Sequence, residues 1–165
     1  MLIAIISDIH DNIINLEKCL SWCNINKIEK IICCGDVCDA DTLKFLSKKF
    51  PGEIFLVEGN GETFTAADLK GLHNIKYRNE AGVEEISGLN LGFCHQNKAL
   101  NQVHNLSSKN LDFIFLGHSH KPWLEKREQT FLANPGNISG TFYQATFATL
   151  DTKRQKLDLK ILAHL

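Results

Sequence analysis

The sequence offers little to a membrane, a nucleic-acid backbone or an oxidising compartment. Its 18 Lys and Arg almost balance 19 Asp and Glu, for a formal net charge of -1, which argues against a surface built on phosphate-backbone contacts. No apolar run approaches the ~18 residues of a membrane span. The opening "MLIAII" is too short for a signal-peptide core, lacks a basic start and passes straight into the polar "SDIHDN", so a cytoplasmic location is expected. Only three prolines occur, widely separated, and no linker, internal repeat or low-complexity stretch divides the chain. Apolar residues at 44% and charged residues at 22% are ordinary globular usage and argue against disorder. The six cysteines form no zinc-ribbon pattern: Cys33, Cys34 and Cys94 sit in strand-like runs and Cys19 and Cys23 along a helical one. They read as reduced, mostly buried thiols, with no second pair to answer Cys34 and Cys38 in "CCGDVC".

What remains is a chain of 165 residues, one domain's worth over residues 1–165, able to bury roughly 68–70% of its unfolded surface. Leu2 to Ile6 is a continuous apolar run, as expected of a strand covered on both faces. From Asn12 to Asn26, Ile13, Leu16, Leu20 and Cys23 recur at helical spacing, with Trp22 opposite that stripe. The cycle repeats as strand 31–34, helix 41–49 and strand 53–57, and such alternation predicts parallel strands joined by right-handed crossovers. Beyond residue 75 short strands are expected at 83–86, 89–94, 113–116, 123–127, 130–133, 144–151 and 156–162. Residues 88–90 and Glu128-Gln129 read as hairpin turns, and a helix is expected over 98–109. The pattern predicts an α/β fold of two packed sheets with helices outside.

Nearly every polar cluster of interest follows a predicted strand: Ser7-Asp8-Ile9-His10, Gly35-Asp36, Gly59-Asn60, His95, and His118-Ser119-His120. In open α/β sheets ligands bind beyond the strand carboxyl ends. Pooled there, Asp8, His10, Asp36, Asn60, His95, His118 and His120 make a donor set of intermediate hardness, suited to Mn, Zn, Fe, Co or Ni. Seven side chains exceed the needs of one catalytic ion and suit two that share a carboxylate. Two such ions about 3.5–4 Å apart stabilise in-line phosphoryl displacement and acidify bound water toward a pKa of about 7. Hydroxide so formed would attack the phosphorus of a phosphate ester.

As an ordered set, "SDIHDN", "CGDVCD", "EGNGE", "FCHQ" and "GHSH" resemble the motifs of the calcineurin-like metallophosphoesterases. The short chain and the "NPGNIS" loop at 134–139 are most similar to the small YfcE-like phosphodiesterase branch, to which the retromer light subunit is structurally related. The resemblance implies a four-layer α/β/β/α sandwich of two mixed sheets flanked by helices. It also implies that Asp8, His10, Asp36 and His120 hold one divalent ion, while Asp36, Asn60, His95 and His118 hold the other. Manganese is the first expectation, with Ni, Co, Fe or Zn accepting the same donors. Asp36, Asn60 and His95 are the residues expected to carry catalysis.

Two departures from the family pattern carry weight. Gly61 stands where many larger relatives place a histidine credited with protonating the leaving group. That implies a preference for esters whose leaving groups are already acidic, such as aryl phosphodiesters. Gln96 replaces a frequent glycine after His95. His104 is weighed as a substitute acid against a solvent-facing role, His73 and His164 read as surface residues, and the Asn134-Pro135-Gly136 turn is expected beside the site. Asp11, Asp39 and Glu62 either orient ligating groups or cap turns, with Asp11 or Asn12 capping the first helix and Asp39 or Asp41 the second. The partner is thus a small phosphate ester, with no membrane, no strand-tracking groove for nucleic acid, and a homodimer as one use for Trp22, Trp123, Phe142 and Tyr143. The alternative is a non-catalytic protein-binding scaffold of the same fold, like the retromer light subunit.

Overall fold

In the first strand, β1 (Leu2–Ile6), Ile3 and Ile5 face one way and Ala4 and Ile6 the other, and all four are fully buried. A strand alternates its side chains, so a layer must cover each face. In the computed structural model, which describes residues 1–165, that demand is met on both sides. Ala4 and Ile6 pack with Leu16, Cys19 and Leu20 of α1 (Ile13–Ile25) and with Leu43 and Leu46 of α2 (Ala40–Lys49). Ile3 and Ile5 pack with Leu91 and Phe93 of β6 (Leu89–Cys94) and with Phe113 and Phe115 of β7 (Phe113–Phe115). Burying each large aliphatic side chain in this way is worth roughly 1.5–3 kcal/mol.

The first sheet also contains β2 (Lys30–Cys33), β3 (Glu53–Leu56), β4 (Ile75–Tyr77), β10 (Thr146–Asp151) and β11 (Lys156–Ile161), in the order β11-β10-β1-β2-β3-β4. β1 through β4 run parallel, while β10 and β11 are antiparallel. The second sheet adds β5 (Ala81–Ile86), β8 (Trp123–Arg127) and β9 (Thr130–Asn134), in the order β5-β6-β7-β9-β8. Its β6, β7 and β9 are parallel, flanked by antiparallel edges. The outer face of this sheet is covered by α3 (Leu100–Leu106), whose Val103 packs with Cys94, Ile114 and Leu116. The result is the four-layer α/β/β/α sandwich of two mixed sheets. No helix is long and apolar enough to cross a membrane.

Several boundaries differ from expectation for local reasons. The helix expected to run to residue 109 stops at Leu106, where the Ser107 hydroxyl exchanges hydrogen bonds with the backbone of Lys109 and closes a turn. The first hairpin turn is Ser87-Gly88, one residue earlier than expected, with φ of +54° and +83°. Two left-handed residues are what a two-residue hairpin needs. The unanticipated β4 is only three residues long and half-buried, so its sequence lacks an apolar run. β10 starts at Thr146 rather than residue 144. All six cysteines are free, five buried and Cys38 half-buried.

Candidate metal centre

Because β1, β2 and β3 are parallel, as are β6, β7 and β9, their carboxyl ends share one rim of the sandwich. Backbone bonds lace that rim together. Asp8 N donates to Gly35 O at 3.0 Å, Gly117 N to His95 O at 3.1 Å, and Ser139 N to Asp8 O at 3.0 Å. The glycines are required by proximity: a Cβ on Gly117 would collide with Ser7 Oγ and lie 2.9 Å from His95 Nδ1, and one on Gly59 would collide with the Asp36 side chain.

Five of the seven expected donor residues, Asp8, His10, Asp36, His118 and His120, have left-handed backbones with φ between +45° and +68°. Such angles are uncommon outside glycine and cost of order 1–3 kcal/mol where the surroundings impose them. Here they turn side chains inward. The Asp36 carboxylate lies at the centre, with Oδ2 3.5 Å from His10 Nε2 and 3.3 Å from His95 Nε2, and Oδ1 accepting from Gly61 N at 2.7 Å. Asp8 Oδ1 is 3.3 Å from His120 Nε2 and 3.8 Å from His10 Nε2. Asp8, Asp36 and His95 are all nearly inaccessible, at 0%, 2% and 3%; solvent cannot stabilise the two carboxylates, so neighbouring cations must.

His118 and His120 divide between the two sides of this centre. The His120 ring lies against His10, with the two Nε2 atoms 3.2 Å apart. The His118 ring sits 5.2 Å from that of His95. Its backbone N–H donates to both Asp8 oxygens, at 3.1 and 3.0 Å. Compact donor triads form from Asp8, His10 and His120 and from Asp8, Asp36 and His95. Asn60 joins the second through Oδ1, 3.1 Å from His95 Nε2, whereas His118 stays at the margin, 3.4 Å from the Gln96 amide nitrogen.

Outer bonds set the tautomers. His95 Nδ1 is 2.8 Å from the Cys34 carbonyl and His120 Nδ1 is 3.3 Å from the Thr141 carbonyl. A carbonyl only accepts, so both rings carry hydrogen on Nδ1 and aim Nε2 inward. His95 Nε2 then faces the Asn60 oxygen, acceptor against acceptor, unless a cation lies between them. In the metal-free protein protons take that part. The hydrogen bond that His10 donates to Asp8, aided by Asp36, holds His10 above its ordinary pKa despite burial. Burial would lower His95, but Asp36 outweighs it and the net shift is upward. Burial would raise Asp36, yet His95 and Gly61 N hold its carboxyl below the usual range. The donor set therefore fits divalent ions, which would replace those protons.

The chain matches the calcineurin-like phosphoesterase superfamily domain over residues 1–155. The chain belongs to that superfamily, whose members depend on metal ions. Phosphodiesterase MJ0936 of Methanocaldococcus jannaschii is 26% identical over 160 residues, 94% of this chain and 96% of that protein. Among solved structures, an archaeal phosphodiesterase superposes with a TM-score of 0.85 at 23% identity, covering 98% of this chain and 99% of its own. The phosphoesterase YfcE of E. coli gives 0.70 at 20% identity over 98% and 100%, and Vps29 of Chaetomium thermophilum 0.69 at 17% over 97% and 95%. The fold is thus shared with proteins named as phosphoesterases and with Vps29 alike.

Residues around the candidate donors resolve the remaining expectations. Asn12 caps α1, its Oδ1 accepting from Asn15 N at 3.1 Å. Asp11 instead reaches across to α2, accepting from Asp39 N at 2.9 Å and from the Thr42 hydroxyl at 2.6 Å, while Asp39 makes no side-chain cap. Glu62 accepts from Cys38 N and Gly59 N, bracing the loops that carry Asp36 and Asn60, and burial raises its pKa. Asn134 donates to Gly117 O at 2.6 Å, so the 134–136 turn does border the centre. His73, His104 and His164 are exposed and make no contact with the donors. Reading the sequence set Cys38 aside with the other thiols, although its Sγ is 3.5 Å from His10 Nδ1, and missed the Thr141 and Cys34 carbonyls, since backbone acceptors leave no trace in residue type.

Proposed function

We propose that this superfamily member is a dinuclear metal-dependent phosphodiesterase acting on a small phosphate ester. Asp8, His10, Asp36 and His120 would hold one ion, and Asp36, Asn60, His95 and His118 the other, with manganese the first choice. The observation that carries the reading is the placement of Asp36 Oδ2 between His10 Nε2 and His95 Nε2, at 3.5 and 3.3 Å, a position suited to a carboxylate shared by two cations. When bound, such ions acidify water and take up charge developing on phosphoryl oxygens. The chain's own part is to fix donor geometry through the Cys34, Thr141 and His118 backbone bonds and to exclude bulk water from Asp8 and Asp36. On this reading residues 1–165 work as one domain in the cytoplasm.

Position 61 supplies no acid. Gly61 contributes only its N–H to Asp36 Oδ1, and even a Cβ there would lie 3.3 Å from both that oxygen and Cys38 Sγ. Leaving groups should therefore depart largely on their own acidity, so aryl diesters should outpace alkyl diesters; equal rates with chemistry limiting would count against this. The decisive experiment is Asp36→Ala in the manganese-loaded protein, with elemental analysis and hydrolysis of bis(4-nitrophenyl) phosphate. Loss of both ions and at least about 10³-fold of turnover is expected, since both ions and their electrostatic contribution go together. Wild-type turnover in that variant would end the shared-carboxylate reading. The scaffold alternative, suggested by the likeness to Vps29, predicts no hydrolysis with any cation and gives no reason for a complete, strained donor set.

A further inference from the structure

Phe142 is held in an unfavourable position that the donor cluster does not need. Its φ is +66°, a region bulky side chains avoid, and its side chain is 88% exposed. Its ring nevertheless stands 5.7 Å from the ring of His120, inclined at 57°. The segment leading to it is not loose. Fully buried Asn137 accepts from Ser139 Oγ, Gly140 N and Thr141 N and donates to His120 O at 2.9 Å. Asn12, the cap of α1, and Asn15 within it donate to the Ser139 and Ile138 carbonyls, each at 2.8 Å. The neighbouring Thr141 carbonyl is the one that orients His120. A costly backbone angle and an uncovered aromatic ring are thus locked at the edge of the donor cluster.

On the other side of the cluster lies a recess of about 120 Å³ lined by Glu58, Asn60, Glu80, His95, Gln96 and Lys98. Its charged lining suits a polar substituent and repels an apolar one. A second recess, of about 70 Å³, runs from His95 and His118 to buried Leu116 and half-buried Trp123, whereas Phe142 presents an uncovered apolar ring to an ester anchored at the centre. Exposed single aromatics are common, but this one combines strain, a multiply bonded support and contact with a donor imidazole.

We infer that Phe142 sets substrate specificity, its ring stacking against a planar aryl or heteroaromatic group of the phosphoester. The inference rests on the phosphoesterase reading and names the class of ester that reading leaves open. Stacking on one aromatic face adds roughly tenfold in affinity.

The test uses calorimetry on the manganese-loaded protein with two non-hydrolysable probes, phenylphosphonate and methylphosphonate. Wild type should favour the phenyl compound by about tenfold, Phe142→Ala should bring the ratio of affinities near one, and Phe142→Trp should restore it. If wild type binds neither compound, the phosphoester reading falls together with this one. If wild type binds both equally, or Phe142→Ala weakens both alike, the inference alone is overturned, and Phe142 becomes a residue for protein contact or loop shape.

Discussion

The two halves of the donor cluster are built with unequal care. On the side of His10 and His120 the donors are buried or half-buried, and the backbone ties each loop to the next: Ile9 N and His10 N both donate to Asp36 O, at 2.8 and 3.0 Å, and Asn137 grips His120. On the side of His95, that residue and the shared Asp36 are enclosed, while Asn60 and His118 are exposed. The Gln96 amide, 2.6 Å from Asn60 Oδ1, spans the gap between them. One half is preformed by the fold and the other is completed by exposed side chains. The comparison teaches that, on the proposed dinuclear reading, two ions sharing Asp36 need not bind alike: the His10 half should fill first.

The strongest challenge to that asymmetry compares Asp8→Ala with Asn60→Ala in manganese titrations. Asp8→Ala should remove the tight step altogether, a larger loss than the roughly 10–100-fold that outer partners contribute, whereas Asn60→Ala should remove only the weaker step. Reversal of these outcomes would refute the ranking. Next in size, Asn137→Ala should weaken the tight half about 10–100-fold and destabilise the fold by about 2–3 kcal/mol, since a fully buried amide that makes four hydrogen bonds is removed. Urea melts beside the titration would show whether the two losses travel together.

Acidity sharpens the comparison further. His10 and His95, one in each half, lie above their ordinary pKa in the metal-free protein, so near pH 6.5 both retain protons that a bound ion must displace. Asp36, held below its usual range, retains none. Affinity in each half should therefore rise with pH, about tenfold per unit for each displaced proton, and level off above the raised imidazole values. Identical heats in buffers of different ionisation enthalpy would contradict this. The smallest effect is expected for Cys38→Ser: sulfur is a weak partner for His10 Nδ1, and a few-fold change confined to the tight half would suffice.

Much of this was legible in the residues. Continuous apolar runs such as Leu2–Ile6 announced strands covered twice, and the donors fell at strand ends because parallel pairing puts those ends on one rim. What stayed hidden has physical reasons. β4 gains its place from pairing with β3, not from its own half-buried IKY. Asp11 stayed open between orienting a ligand and capping its own helix because spacing along the chain says nothing of α2 lying beside it. The inequality of the halves depends on exposure and carbonyl positions, which no motif encodes. Trp22, opposite the apolar stripe of α1, is half-buried with its ring 5.3 Å from that of Phe147, so it serves the interior more than an outer face.

The bond from the His118 amide to Asp8 comes from the main chain, and any residue except proline could supply it. On the proposed dinuclear reading, evolution can therefore exchange the imidazole at 118, retuning or abandoning one cation, without loosening the carboxylate that would secure the other. Descendants of such a chain could drift from paired to single ions, or to none, while keeping the same architecture.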